Sequence, residues 1–270
     1  MDRRAKLLAG IDVAHCTGVE IGALCRPFVT REDGPVIYVD HADTATLRKK
    51  FQNDPDVDIT ALVDVDVVWG DTPLDQSISE RVDYVIASHV VEHVPDLISW
   101  LNELASILRP GGEIRLIIPD RRFTFDYLRR ETMLNDVAYA YMERARVPLP
   151  HIVLDYVANV VKIDGGAAWR GEICAERLER HHTLQHALNC AVQAKDGIYH
   201  DVHCWVFTPQ SFAALMIDLA QNGLAVFECT RFFETAPMTI EFFVGMSPAM
   251  DVEVALRSWK AKLDACAMHG

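Results

Sequence analysis

The chain predicts an α/β fold: a doubly wound, mostly parallel seven-stranded sheet that ends in a C-terminal antiparallel hairpin and carries a helical insertion after strand 5. Three observations predict it. Residues 83–120 read as a complete strand, loop, helix, Gly-turn and strand unit. Short apolar runs ending in an acid or a glycine precede that unit, as strands buried on both faces should. Two alternating runs near the C-terminus have the period of antiparallel strands. Size agrees, since 270 residues at 50% hydrophobic composition bury a large core.

Taken in order, Arg3–Ala9 reads as a short helix, and Gly18–Gly22 (GVEIG) as a first strand ending on a glycine that can turn tightly. Val36–Asp40 (VIYVD) is the second strand and ends in an acid. Thr44–Gln52 is a helix, Asp54-Pro55-Asp56 punctuates the connection, and Ala61–Val68 is the third strand. DYVIAS, from Asp83 to Ser88, is the fourth. Asp96 then opens a helix on which Leu97, Ile98, Leu101, Leu104, Ala105 and Leu108 keep a 3.6-residue period. Pro110-Gly111-Gly112 ends that helix, and Gly112–Pro119 is the fifth strand. Such a unit favours a right-handed crossover to a parallel neighbour, and ligands of these sheets bind beyond the carboxyl ends of the strands. Ser88, His89, Glu92 and His93 lie at one such end.

The pattern changes after Asp120. Residues 121–204 show helical patterning, as at Phe125–Arg130 and Leu134–Arg146, and no series of strands. Sheet character resumes at Thr208-Pro209-Gln210-Ser211, a helix start with Pro at its first turn, followed by Phe212, Leu215, Met216 and Leu219 on one face. Ala225–Glu234 and Thr239–Met246 form the antiparallel pair. The organisation expected is one sheet domain from residues 1–120 and 205–270, with residues 121–204 as a helical lid. That insertion, about 85 residues long, exceeds an ordinary connection. The last 20 residues read as a surface helix.

A net charge of −13 argues against non-specific binding to nucleic acid or to an anionic membrane. No apolar run approaches the roughly 18 to 20 residues of a membrane span, and the first residues lack the apolar core of a secretion signal. The seven cysteines are scattered and form no CxxC pair, which suits reduced thiols in a cytoplasmic protein. The partner these features favour is a small molecule or glycan; oligomeric state is left open.

The order of the five strands, the LRPGG turn and the EHV segment at Glu92 resemble the class I S-adenosylmethionine-dependent methyltransferases, type 11-like group, with their Rossmann-like sheet. The resemblance covers about residues 16–120 and 205–246. It implies S-adenosyl-L-methionine as cofactor and assigns its site residue by residue. The acid-x-Gly loop around the methionine part falls on Glu20, Ile21 and Gly22, with Ala23 beyond it. The acid for the ribose hydroxyls falls on Asp40. The acid for the adenine amine falls on Asp66 or Asp71, with Asp66 preferred because it ends the apolar strand pattern. Ala87, Ser88 and His89 complete the cofactor wall. The chain departs from the family's E-x-G-x-G-x-G loop, placing Leu24 and Arg26 where the second and third glycines stand. A dinucleotide pyrophosphate would suffer from that loss more than a phosphate-free methyl donor would. Arg26 is a candidate for the donor carboxylate, or a surface residue.

Two questions of chemistry remain open at the sequence level. His89, Glu92 and His93, spaced three and four apart, would share a helix face, so a divalent metal on Glu92 and His93 is a second candidate cofactor. Some members of the wider family carry Glu-x-x-Glu-His at this point and bind magnesium; His89 replaces the first Glu here, and imidazole suits zinc, manganese or iron better. Transfer to a hydroxyl needs a base, and His203, His182 and His89 are the candidates in that order, histidine being tuned for this near neutral pH. The lid aromatics, Tyr127, Tyr139, Tyr141, Tyr156, Trp169, Tyr199 and Trp205, suit a sugar or a planar secondary metabolite, and the function that the resemblance implies is O-methylation of such an acceptor. The competing readings are a non-catalytic cofactor-binding scaffold and a metal-dependent hydrolase or lyase on the same fold.

Overall fold

A computed structural model describes residues 1–70 and 72–267, with side chains through residue 265. Its centre is a seven-stranded sheet built from β1 (Gly18–Ile21), β2 (Val36–Asp40), β3 (Val67–Val68), β4 (Val82–Ser88), β5 (Leu108–Pro119), β6 (Phe227–Phe233) and β7 (Glu241–Pro248), in the order β3-β2-β1-β4-β5-β7-β6. The first five strands are parallel, and β7 runs antiparallel between β5 and β6. The strand order reverses beside β1, so the carboxyl ends of β1, β2 and β4 flank a crevice.

The helices in chain order are α1 (Arg3–Leu7), α2 (Thr44–Lys50), α3 (Leu74–Ser77), α4 (Leu97–Ile107), α5 (Leu134–Glu143), α6 (Pro150–Asn159), α7 (Gly165–Trp169), α8 (Leu184–Lys195), α9 (Pro209–Gln221) and α10 (Val252–Ala267). Their starts follow local chemistry. Asp43 caps α2 by accepting from Thr46 N at 2.7 Å, and Asp96 caps α4 by accepting from Ser99 N at 3.0 Å. Thr208 and Ser211 form a reciprocal capping box on α9. The apolar face of α4 buries Leu97, Ile98, Leu101 and Leu104 completely against the sheet. Each such side chain contributes roughly 1.5–3 kcal/mol, and Leu101→Ala would cost about 2–5 kcal/mol.

Three expected elements differ. The third strand contracts from Ala61–Val68 to Val67–Val68, because residues 61–66 are held outside ladder pairing: Val63 N donates to Leu24 O in the loop after β1, and the Asp66 side-chain carboxylate takes the N–H of Tyr38 in β2. Phe125–Arg130 is a series of turns instead of a helix, with Asp126 and Arg129 drawn into a buried ion pair at 2.8 Å. At the LRPGG turn the chain stays within β5: Gly111 takes φ +81°, and the register with β4 jumps from Val82↔Leu108 to Tyr84↔Glu113.

Residues 121–204 pack on the sheet through the same core. Val137, Ala140, Ile152, Val153 and Ala187 are buried in one continuous cluster with β4, α4 and α9. The segment is therefore held by apolar contact and not only by its two ends. Among the described residues, no helix is long and apolar enough to cross a membrane.

Candidate active site

The crevice holds two adjoining cavities that share His41, Trp69, Val94 and Tyr199. The larger, of about 930 Å3, runs from the end of β3 to Tyr141 and Arg144 at the end of α5. The smaller, of about 260 Å3, lies against Gly22, Leu24, Asp40, His89 and His93.

Gly22 follows β1 with φ +69°, and a Cβ there would sit 2.9 Å from Val90 Cγ2. Only glycine lets the chain turn there beside the loop that leaves β4. Leu24, at the position of the family's second glycine, also adopts a left-handed conformation, φ +47°. The backbone of the loop is thus glycine-like although the residue is not, at a cost of about 1 kcal/mol or more. Arg26 is exposed and donates to Asp56 O at 3.1 Å, outside both cavities.

The predicted cofactor acids divide. Asp40, nearly buried at the end of β2, lines the smaller cavity and accepts from His41 N at 2.7 Å. Glu20 faces the other way: its carboxylate accepts from Phe28 N at 2.8 Å and Val29 N at 3.0 Å, folding the loop after β1. Burial pushes its pKa from 4.5 up to about 7 against those two bonds. Asp66 precedes β3 and does not line the crevice; it pairs with Arg31 at 2.8 Å. Asp71 lies outside the described residues. Ala23 and Ser88 also lie outside the lining of either cavity. Trp69 and Gly70 occupy the end of β3 instead, with the Trp69 indole N–H donating to Glu103 at 2.7 Å. Their signal was present in the sequence as the residues directly after the third apolar run.

The three histidines proposed as bases also separate. His182 is exposed at the start of α8, its ring 5.0 Å from that of His186, and lines neither cavity. His203 is buried, with Nδ1 at 2.6 Å from the Asp126 carboxylate. His89 opens on the smaller cavity with φ +53°, and its Nε2 lies 2.8 Å from Glu241, which also receives both arms of Arg3. Burial raises the Glu241 carboxyl, but the bonds from His89 and Arg3 outweigh it and leave its pKa below the ordinary value.

Glu92 and His93 sit on a short 3-10 turn after β4. Glu92 is fully buried, and among the described residues neither carboxylate oxygen has a hydrogen-bond partner. His93 Nδ1 meets Asp201 at 3.0 Å, an ion pair outside aligned hydrogen-bond geometry. Burial would lower the His93 pKa, and the facing Asp201 and Glu92 carboxylates outweigh burial and raise it. Asp201 in turn meets Lys50 of α2 at 3.2 Å. The chain just beyond is clamped to this turn: Cys204 N and Trp205 N both donate to Glu92 O, and the Trp205 indole donates to Val94 O at 2.7 Å.

A family model described as a methyltransferase domain matches residues 5–228. Two curated relatives are both named ubiquinone biosynthesis O-methyltransferase. The one from Nitrobacter winogradskyi is 34% identical over 119 residues, 41% of each chain, and the one from Rhodopseudomonas palustris is 30% identical over 118 residues, 41% of this chain and 42% of that one. The chain thus spans well under half the length of the curated relatives it matches. A solved structure from Rhodobacter sphaeroides, described as a putative zinc-dependent alcohol dehydrogenase, superposes with a TM-score of 0.50 at 15% identity, covering 92% of this chain and 90% of that one. That likeness carries the fold alone. With the match spanning the five parallel strands and most of the chain, and the crevice lying where the sheet order reverses, the protein belongs to the methyltransferase-domain family, of the class I S-adenosylmethionine-dependent type.

Proposed function

We propose that the protein transfers the methyl group of S-adenosyl-L-methionine to a hydroxyl oxygen of a small acceptor, a sugar or a planar secondary metabolite. The observation that carries this reading is the pairing in one small cavity of Asp40, at the end of β2, with Gly22, whose missing Cβ leaves the crevice open. Asp40 would hold the ribose hydroxyls, and the Gly22–Leu24 loop the methionine part. The names of the curated relatives support oxygen as the acceptor atom.

The bound cofactor supplies an electrophilic methyl on a sulfonium, so activation does not fall on the protein. The residues of the chain align, exclude water and manage one proton. Trp69, Tyr141 and Tyr199 give the larger cavity flat apolar walls, on which a purine or a planar acceptor stacks. Trp205 and Trp169 are committed elsewhere, to Val94 O and to the Phe123 ring. His89 is the base best placed to take the acceptor proton. Glu241, 2.8 Å from its Nε2, would stabilise the imidazolium that forms.

Calorimetry with S-adenosyl-L-methionine, followed by turnover on a panel of hydroxylated sugars and phenols, tests the proposal. Saturable binding with O-methylated product supports it. Absence of binding rejects it, and binding without turnover on any hydroxyl favours the scaffold.

A further inference from the structure

Glu241, at the start of β7, is nearly buried and binds side chains from two other parts of the chain. Arg3 Nε donates to its Oε1 at 2.5 Å and Arg3 Nη2 to its Oε2 at 2.9 Å, while Oε2 also lies 2.8 Å from His89 Nε2. The Arg3 contact is a two-pronged fork, in which a guanidinium fixes both the position and the plane of a carboxylate. Among the described residues that carboxylate is the one hydrogen-bond partner of the His89 ring, since Nδ1 lies 3.7 Å from Glu92, beyond hydrogen-bond reach. We propose that Arg3 is a positioning residue for the methyl transfer, aiming the His89 ring through Glu241. The proposal rests on the reading of His89 as the base.

Local structure delivers Arg3 to that place. Asp2 caps α1 by accepting from Ala5 N at 2.7 Å, and Leu7 anchors it in the core. The carbonyls of Leu7 and Ala9 accept from buried Arg115 at 3.2 Å and 3.1 Å. So short a helix gains little from its own hydrogen bonds, and these tertiary contacts decide where its first turn points. The Arg3 guanidinium lies 5.4 Å from the centre of the Phe28 ring, a second contact that steadies it. Its neighbour Arg4 turns elsewhere, to Phe28 O at 2.8 Å and to Asp33 at 3.0 Å.

His89 needs such support. Its backbone sits at φ +53°, a conformation that a non-glycine residue seldom takes, and its ring opens on the smaller cavity. A ring at a cavity edge turns about its side-chain bonds unless its far nitrogen is held, and here the holder is itself held by Arg3. While His89 is neutral, Arg3 is also the cation that compensates the Glu241 charge: burial raises that carboxyl, and the bonds from His89 and Arg3 outweigh burial. The carboxylate is therefore already in place when His89 takes the acceptor proton. A misplacement of about 1 Å at a reacting group is enough to cost about 100-fold in rate, so a residue that touches no substrate carries a measurable effect.

Turnover of the full chain at saturating S-adenosyl-L-methionine, on the panel of hydroxylated sugars and phenols, is compared in the wild type, Arg3→Ala, Arg3→Lys, Arg4→Ala and His89→Ala, with and without added guanidinium ion. Imidazole 1H–15N correlation spectra report the His89 ring with no acceptor present, and decide alone if no acceptor on the panel turns over. Arg3→Ala should lose kcat about 10- to 100-fold while donor affinity stays within about threefold. Arg3→Lys, which keeps the charge without the fork, should recover part of the rate. Guanidinium should restore both the rate and the ring signals of Arg3→Ala and do nothing for His89→Ala. Arg4→Ala, which removes the neighbouring charge of the same helix, should stay within about twofold of wild type. The proposal is overturned if Arg3→Ala keeps its kcat and ring signals while His89→Ala loses turnover, which leaves the base reading standing. It is also overturned if Arg4→Ala matches the loss in Arg3→Ala and guanidinium rescues neither, the mark of a weakened helix. An unchanged kcat in His89→Ala rejects the base reading itself, and the proposal with it. Where Arg3→Ala fails to fold, the rate and ring signals of Arg3→Lys decide.

Discussion

Glu20 and Glu92 are both buried glutamates beside the same crevice, one on β1 and the other just beyond β4, and they have opposite surroundings. Glu20 accepts two backbone N–H groups and folds the loop from Gly22 to Val29. Glu92 accepts none, although a histidine pair stands beside it. The first is a carboxylate used by the fold. The second is one whose oxygens take no hydrogen bond among the described residues, although it is fully buried. A motif acid is thus read by what its oxygens touch, and not by its place in the sequence.

The largest effect expected is on chemistry. His89→Ala should lower kcat by about 10²- to 10⁴-fold while leaving donor affinity within a few-fold, the range for loss of a general base. Stopped turnover assays with saturating donor check this, and an unchanged kcat would pass the base role to another group.

The two glutamates should also differ in what they contribute to stability. Glu20→Ala orphans the Phe28 and Val29 amides and should cost about 3 kcal/mol, read by urea unfolding. Glu92→Gln should cost less than about 1 kcal/mol, because no hydrogen bond to its oxygens is lost. The reverse order of these two costs would show that Glu92 has a structural partner after all.

Acidity separates the variants of Glu20 as well. The Glu20 pKa is raised from 4.5 to about 7, so in this interval the folded state holds a proton that the unfolded chain has released. Its contribution to stability accordingly falls as pH rises from about 4.5 to 7 and levels off above, with an amplitude on the order of 3 kcal/mol. Unfolding free energies measured across that range should lose this slope in Glu20→Gln.

The smallest effect concerns the loop. Leu24→Gly relieves the left-handed strain at φ +47° but adds unfolded-state freedom and removes a cavity-lining side chain. Stability should change by no more than about 1 kcal/mol. A loss above about 2 kcal/mol would show that the Leu24 side chain, and not the conformation of the loop, holds this turn.

The strand order was legible because β1, β2, β4 and β5 are buried on both faces and read as apolar runs. β3 was not, since only Val67 and Val68 pair, while Arg31 donates to the Asp64 backbone carbonyl and the Asp66 carboxylate, which also accepts from Tyr38 N of β2. At the site, Gly22, Asp40 and His89 were legible as strand-end residues. Glu20 and Asp66 shared that position in the reading but spend their oxygens on backbone amides and Arg31. The meeting of Glu92 with His203, and of His203 with Asp126 77 positions away, is set by how residues 121–204 pack, which no local period encodes. The turn at Phe125–Arg130 failed for the same reason, its polar residues being held by distant partners.

The most direct test of the account is calorimetric titration of S-adenosyl-L-methionine into the wild type and Asp40→Ala, with Asp66→Ala as the companion. One site per chain is predicted, weakened at least tenfold by Asp40→Ala and within about twofold of wild type in Asp66→Ala, because only Asp40 faces the cavity. Equal affinity in the wild type and Asp40→Ala, or no heat of binding in either, would contradict the placement of the donor in this crevice.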